Sequence, residues 1–286
     1  MKETIDFKKQ RELGAIITDA FKFIRLEGKE LGSLILKITG PALLAVIFSY
    51  VYYTQSTLGN FENILIQEDF STDMILSVFL LMGSVVVFYA LIYCTVLLYI
   101  KSYIANQGTV QIDTVSREIK DYFWGMLGLN LLIAVIVAVG FLFCVLPGIY
   151  LMVCLTLAYP ILIFERNSIG DAISNSFKLI KDEWWNTFAT FIVIYILYSI
   201  VTLIFQIPQL LYFFIKGFAM SNEVSANPFD IIDWVSITLD VIAMVAGYLL
   251  FTFILIAIAF VYFHLNEKKN FTGTLENIDK LGSREL

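Results

Sequence analysis

The sequence predicts an all-α protein: a polytopic membrane bundle of six transmembrane helices with additional interfacial amphipathic helices. Three observations predict this class. Of the 286 residues, 59% are hydrophobic and only 15% are charged, whereas about a quarter of the residues of soluble domains are charged. The apolar residues form runs of roughly 20 or more, the length that a helix needs to cross a bilayer. Lys and Arg are concentrated in alternate connections between these runs, as in multi-pass proteins.

The predicted spans divide the chain into three parts. Residues 1–30 are an amphipathic cytoplasmic segment, residues 31–265 the six-span membrane domain, and residues 266–286 a cytoplasmic tail. The spans lie at approximately 31–53, 74–100, 123–145, 148–164, 185–205 and 240–264.

Two of these assignments depend on turn signals. The uncharged stretch 122–164 is too long for one span, so Pro147-Gly148 is expected to form the turn of a helical hairpin. Residues 207–218, which contain Pro208, are either a kinked extension of the fifth span or an interfacial turn.

The charge of the connections predicts the orientation. The connections 54–73 and 219–233 contain no Lys or Arg, whereas residues 1–30, 101–121, 166–181 and the tail contain most of them. Short basic connections stay on the cytoplasmic side. We therefore expect a multi-pass protein of a bacterial cytoplasmic (inner) membrane with both termini cytoplasmic. No cleaved signal peptide is expected, because the N-terminus lacks a short apolar core with a cleavage site.

Three of the basic segments have the apolar periodicity of surface helices. The first stripe comprises Leu13, Ile16, Ile17, Ala20, Phe21 and Ile24, and the second Ile112, Val115 and Ile119. The third comprises Ile169, Ala172, Ile173, Phe177 and Ile180. Ser168 and Asp171 form a partial capping box at its start, and the interfacial pair Trp184-Trp185 follows it. For the first stripe, a helix packed on its own protein is the alternative to an interfacial one.

A weak internal repeat relates the two ends of the membrane domain. Residues 20–25 (AFKFIR) match residues 176–181 (SFKLIK), and each stretch precedes a span. Gly108-Thr109 follows the second span as Gly273-Thr274 follows the sixth. The pattern indicates either a parallel duplication, as in some transporters, or the common appearance of any basic helix before a span.

The central stretch resembles a known family. It reads LPGIYL at 146–151, AYP at 158–160 and IFE at 163–165, then Gly170, Ala172 and the Trp pair at 184–185. This order is similar to the membrane domain fused to some glycerophosphoryl diester phosphodiesterases, and to its stand-alone, largely uncharacterised relatives. The resemblance covers about residues 115–265 and implies a membrane architecture. It implies no phosphodiesterase activity, which in the fused proteins lies in a separate soluble barrel.

Polar groups in or beside the spans are the candidate functional residues. Asp240 is either a proton or cation site or the outer start of the sixth span, and Asn130 is interpreted as an interhelical hydrogen-bonding residue. Glu165 and Arg166 either form an interfacial charge pair or contact a headgroup or partner together with Lys178 and Lys181, the last two of the candidate residues.

Other residues limit the possible chemistry. His264 is the only histidine and is interpreted as an interfacial anchor. The cysteines Cys94, Cys144 and Cys154 lie in apolar runs without metal-binding spacing and are interpreted as buried small hydrophobic residues. The sequence contains no Gly-rich phosphate loop, HExxH, GxSxG or paired carboxylates within one span. No cofactor is expected, and nothing in a net charge of −6 indicates nucleic acid.

These observations favour a non-enzymatic membrane scaffold or accessory component. It would bind membrane lipids or a protein partner, or a second copy of itself, through its basic cytoplasmic helices. The alternatives are a small transporter with a path between duplicated helix pairs, and an intramembrane enzyme acting on lipids. A transporter would have a polar cavity containing Asp240 or Asn130, and an enzyme a pocket with at least two convergent ionisable groups.

Overall fold

The computed structural model describes residues 4–58, 72–220 and 232–282, and all regular elements in these ranges are helical. The predicted all-α class is therefore confirmed. The helices are α1 (Leu13–Tyr53), which ends in a π-helical turn (Thr54–Leu58), α2 (Thr72–Ala105), α3 (Ile112–Phe143), α4 (Val145–Thr156), α5 (Ala158–Phe164), α6 (Ile169–Ile180), α7 (Trp184–Met220), α8 (Trp234–Asn270) and α9 (Thr272–Gly282).

The number of spans agrees with the prediction. Within the described residues, six helical segments are long and apolar enough to cross a membrane, with α4 and α5 together forming the fourth. The predicted polar connections 54–73 and 219–233 lie largely outside the described residues, as does Arg284 of the tail.

The helices are longer than predicted at the basic ends. Residues 13–30 continue into the first span as one helix, α1, and residues 112–121 continue into the third span as α3. The two predicted surface helices are thus not separate elements, because no helix-breaking sequence separates either stripe from its span. Of the three predicted surface helices, α6 alone is a separate element. At the other end, α7 runs on to Met220 with Pro208 inside it, so residues 207–218 are a helical extension.

The hairpin between α3 and α4 turns at Cys144, three residues before the predicted turn at Pro147-Gly148. Cys144 is extended (φ −173°, ψ 157°) and exposed, contrary to the buried position expected for all three cysteines. Pro147 lies in the first turn of α4, where its missing N–H removes no helical hydrogen bond. Gly148 has a packing role instead: a Cβ there would lie 2.5 Å from Cγ of Phe141.

The fourth span is interrupted between α4 and α5 at Leu157. Pro160 has no N–H to donate to the carbonyl of Thr156 four residues earlier, so the helical pattern of backbone hydrogen bonds is interrupted there. This span is also the most enclosed one among the described residues. Inside the protein, 61% of its most apolar stretch is buried, against 33% or less for the other spans.

The contacts divide the chain into two units. The first unit comprises Met1–Ile38, Tyr89–Ile196 and Thr252–Leu286, and the second comprises Thr39–Phe88 and Leu197–Phe251. In the second unit, Tyr198 donates a hydrogen bond to the carbonyl of Gly247 (3.2 Å), and the rings of Phe88 and Tyr248 lie 4.7 Å apart.

The non-helical segment before α1, residues 4–12, completes the core of the first unit. Phe7, 1% exposed, stacks on Phe260 with ring centroids 4.3 Å apart and is surrounded by further aromatic rings. The N–H of Ile5 donates to the hydroxyl of Tyr103 (3.0 Å). The segment passes so close to the glycines of both Gly-Thr pairs that a Cβ at Gly108 would collide with Thr4, and a Cβ at Gly273 with the carbonyl of Lys8.

We expect Gly148→Ala to destabilise the α3–α4 hairpin by about 1–3 kcal/mol, because the new methyl overlaps the Phe141 ring. Thermal unfolding in detergent measures the effect. Gly83→Ala in α2 is the matched control, since a Cβ there meets nothing within 4 Å. Equal unfolding temperatures for the two variants would contradict the packing role of Gly148.

Candidate functional site

The residues predicted around Glu165 lie together in the first unit, at the two ends of α6. The side chain of Glu165 accepts a hydrogen bond from the hydroxyl of Tyr262 (2.9 Å) and another from the amide of Asn167 (2.8 Å). Arg166 has a left-handed backbone (φ 54°) at the turn between α5 and α6. Glu165 therefore ties the end of α5 to α8, and no ion pair with Arg166 occurs in the described part of the chain.

Three cations lie at the ends of α6 and are defined here as the α6 cation patch: Arg166, Lys178 and Lys181. All three are exposed. Within residues 4–58, 72–220 and 232–282, none lies within 4.0 Å of a carboxylate; the amine of Lys178 donates only to the amide oxygen of Asn175 (3.3 Å). The patch thus keeps its charge available to a partner.

The helix α6 is fixed to the protein beneath these cations. The predicted cap is confirmed: the hydroxyl of Ser168 accepts from the N–H of Asp171 (3.2 Å) and donates to its carboxylate (2.6 Å). The other face of α6 is buried through Ala172, Leu179 and Ile180. The amine of Lys269 donates to the carbonyl of Lys178 (2.5 Å), which ties the end of α6 to that of α8.

Asp240 belongs to the second unit and is not the first residue of its helix. It lies in the second turn of α8, half-buried, and accepts a hydrogen bond from the hydroxyl of Tyr50 (3.0 Å). The helix begins after Asp233, which caps it by accepting from the N–H groups of Val235 (3.1 Å) and Ser236 (2.9 Å). A hydrogen bond from Lys216 is the largest of the effects that lower the pKa of Asp233.

Asn130 lies in α3, in the first unit, and so in a different unit from Asp240. Its side-chain nitrogen is buried and has no hydrogen-bond partner among the described residues. The predicted interhelical hydrogen bond is therefore not formed within this part of the chain.

A buried carboxylate in α1 is not among the residues predicted from the sequence. Glu27 is 1% exposed and accepts a hydrogen bond from the hydroxyl of Tyr99 (2.9 Å). The buried stripe of α1 runs through Ile16, Ala20, Phe23, Glu27 and Leu31. The predicted stripe lies on a partly different side of the helix from this buried stripe. Phe21, a member of the predicted stripe, is 51% exposed. The spacing of four from Phe23 and Leu31 was the signal that places Glu27 on the protein-facing side.

A cavity of about 320 Å³ lies in the first unit, between the start of α1, the start of α7 and the end of α8. Its ionisable lining residues are Arg11, Glu12, Glu183, His264 and Lys268. Apolar side chains, among them those of Ile16, Val261 and Leu265, complete the wall. The cavity thus combines both signs of charge with an apolar side.

Arg11 supports this cavity rather than offering a free charge. Its side chain is almost completely buried, bonds the carboxylate of Asp19 (2.8 Å) and donates to the carbonyls of Asp6 and Phe7. Burial lowers the pKa of Arg11, and Asp19 partly offsets this effect. The guanidinium also lies 4.6 Å from the centroid of the Phe260 ring.

The backbone N–H of Arg11 determines the tautomer of the His264 ring. It donates to Nδ1 of His264 (2.9 Å), so the neutral ring carries its proton on Nε2. One helical turn later, Lys268 forms an ion pair of 2.6 Å with Glu183, whose second oxygen accepts from Asn186 (2.9 Å). The hydrogen bond from Lys268 is the largest of the effects that lower the pKa of Glu183.

The hydroxyls that line this cavity are engaged within α7. Thr187 donates to the carbonyl of Glu183 (2.9 Å) and Thr190 to that of Asn186 (2.7 Å), so neither is aimed at a base. Among the described residues, no group of three His, Cys, Asp or Glu side chains is placed to hold a metal ion. The arrangement is suited to binding through charge and hydrogen bonds.

Comparisons of this chain with family models, curated proteins and solved structures found no match. The resemblance to the phosphodiesterase-associated membrane family therefore stays a prediction.

We expect Glu183 to make stability depend on pH. Its pKa is lowered in the folded state, so the contribution is complete above the unfolded value of about 4.3 and is lost as the pH falls through the lower folded value. The difference in unfolding temperature between the wild type and Glu183→Gln should shrink as the pH falls from about 6 to about 3. Lys268→Gln, which removes the main cause of the shift, should show the same convergence. A difference that is constant over this range would contradict the assignment.

Proposed function

We propose that this chain is a non-enzymatic scaffold or accessory protein of a bacterial inner membrane, with both termini in the cytoplasm. The α6 cation patch is its docking surface for anionic lipid headgroups or for an acidic partner protein. The observation that carries the proposal is the exposure of three cations without a carboxylate partner in the described residues, on a helix that is capped and packed.

The electrostatics of a membrane surface support this role. Basic residues next to a bilayer gain about 1 kcal/mol each from anionic lipids. Trp185, 76% exposed at the start of α7, is the kind of amphipathic side chain that anchors a protein at the headgroup level. The hydrogen bond from Lys269 to the carbonyl of Lys178 holds the patch against α8, one of the predicted spanning helices.

A transporter is the second candidate, and Asp240 is the residue that favours it. A half-buried carboxylate within a span is costly and is commonly functional. Its hydrogen bond from Tyr50 provides a stabilising partner. Asp240 and Asn130 belong to different units, and neither lines the cavity of about 320 Å³ beside His264.

We expect the triple variant Arg166→Gln, Lys178→Gln, Lys181→Gln to lose its preference for anionic lipid. Removing three surface cations should reduce the enrichment of anionic over zwitterionic lipid by at least about fivefold, the equivalent of about 1 kcal/mol. Mass spectrometry of the lipids retained after extraction from native membranes in polymer nanodiscs measures this enrichment. Copurified proteins are identified in the same samples.

The matched control is the charge-preserving variant Arg166→Lys, Lys178→Arg, Lys181→Arg. This variant keeps the three positive charges of the patch and should retain the wild-type enrichment of anionic lipid. The proposed function fails if the neutral variant retains both the lipid enrichment and any stoichiometric protein partner of the wild type.

Asp240→Asn separates the two candidate functions. The amide oxygen still accepts the hydrogen bond from Tyr50, so the unfolding temperature should change little, while the ionisable group is removed. As a scaffold, the variant should complement a deletion strain as well as the wild type does. Loss of complementation at unchanged expression would favour transport.

A further inference from the structure

The cavity beside His264 lies at the predicted ends of two spans. The fifth span is predicted to begin at residue 185 and the sixth to end at residue 264, so a molecule in the cavity is expected at the level of the headgroups of one leaflet. Its volume of about 320 Å³ is at the lower end of the range of small-molecule sites, roughly 300–1,000 Å³. The site suits a compact polar group attached to an apolar chain.

One wall of the cavity offers hydrogen-bond donors. The tautomer set by Arg11 leaves an N–H on Nε2 of His264, and this atom has no hydrogen-bond partner among the described residues. Lys268 lies four residues later and therefore on the same face of α8. Its amine makes one ion pair and keeps donors to spare, since the side chain is 45% exposed. These two groups suit a phosphate oxygen, which forms short charge-assisted hydrogen bonds.

The other charged residues of the cavity lining determine which kind of phosphate-containing ligand it favours. Three of the lining charges are already paired, since Lys268 forms an ion pair with Glu183 and Arg11 with Asp19 outside the lining. Glu12 is the lining carboxylate without an ion pair among the described residues, so a ligand with negative charge only would meet it uncompensated. A ligand with a phosphate and an ammonium group can place its phosphate beside His264 and Lys268 and its ammonium group beside the exposed Glu12.

We propose that this cavity binds a phosphate ester that carries a primary ammonium group, as in the phosphoethanolamine headgroup of a membrane phospholipid. The inference rests on the proposed function for its place at the cytoplasmic leaflet, and it adds a selective site to the non-selective α6 cation patch. The same chemistry occurs in soluble phosphoethanolamine, so the test distinguishes the two sources.

Two variants probe the two halves of the ligand. Glu12→Gln removes the carboxylate that would face the ammonium group, at an exposed position. His264→Asn removes the Nε2 donor that would face the phosphate, while its amide oxygen can still accept from the N–H of Arg11. Thermal unfolding verifies that both variants fold like the wild type.

The measurement is native mass spectrometry of the full chain, titrated with phosphatidylethanolamine, phosphatidylcholine or phosphatidylglycerol. The titration uses the neutral triple variant of the α6 cation patch, because the patch of the wild type also attracts phosphatidylglycerol. This variant should bind phosphatidylethanolamine about tenfold more tightly than the other two lipids, since a charge-assisted hydrogen bond is worth about that factor. Adding Glu12→Gln should abolish this preference, and adding His264→Asn should weaken all three lipids.

Soluble O-phosphoethanolamine identifies the source. If it displaces the bound lipid at millimolar concentration, the headgroup chemistry alone is sufficient; if it does not, the ligand is the membrane lipid. Equal binding of the three lipids to the neutral triple variant would overturn the proposal, as would a preference that survives Glu12→Gln. The proposed function is tested by the anionic-lipid enrichment that this variant loses, and the present proposal by the preference that it keeps, so the two failures are distinguishable.

Discussion

The absence of water in the hydrocarbon core is the constraint on which the rest of the structure depends. An unpaired backbone group there costs several kcal/mol, so each span must satisfy its own hydrogen bonds as a helix. The same constraint governs side chains. The carboxylates of Glu27 and Asp240 each accept a tyrosine hydroxyl hydrogen bond. Pro160 interrupts the helical hydrogen bonds of the fourth span and so divides it into α4 and α5. This span is the most buried one among the described residues.

Positive charge is segregated between the two units. Lys216 is the one Lys or Arg in the sequence of the second unit, where it pairs with Asp233, and all the others belong to the first unit. The features that can recognise a charged partner are therefore gathered in the first unit. They include a patch without carboxylate partners in the described residues, on α6, and a cavity of balanced charge beside His264.

The segment before α1 links the packing of the first unit to that cavity. Phe7 fills an aromatic cluster, and four residues later the backbone of Arg11 fixes the tautomer of His264. One short non-helical stretch thus closes the core with its side chains and sets a donor in the cavity wall with its backbone. The Gly-Thr pairs recognised as a possible repeat have a shared structural use, since both glycines make room for this stretch.

The sequence by itself determined the helical class, the six apolar segments and the cap of α6 at Ser168, because each depends on local composition, period or spacing. Tertiary structure decided which side of each helix meets protein. An apolar stripe looks the same whether lipid or protein covers it, so only packing decided that the side of α1 with Glu27 is buried and that Phe21 is exposed. The turn at Cys144 and the cavity beside His264 likewise required contacts between residues distant in the chain.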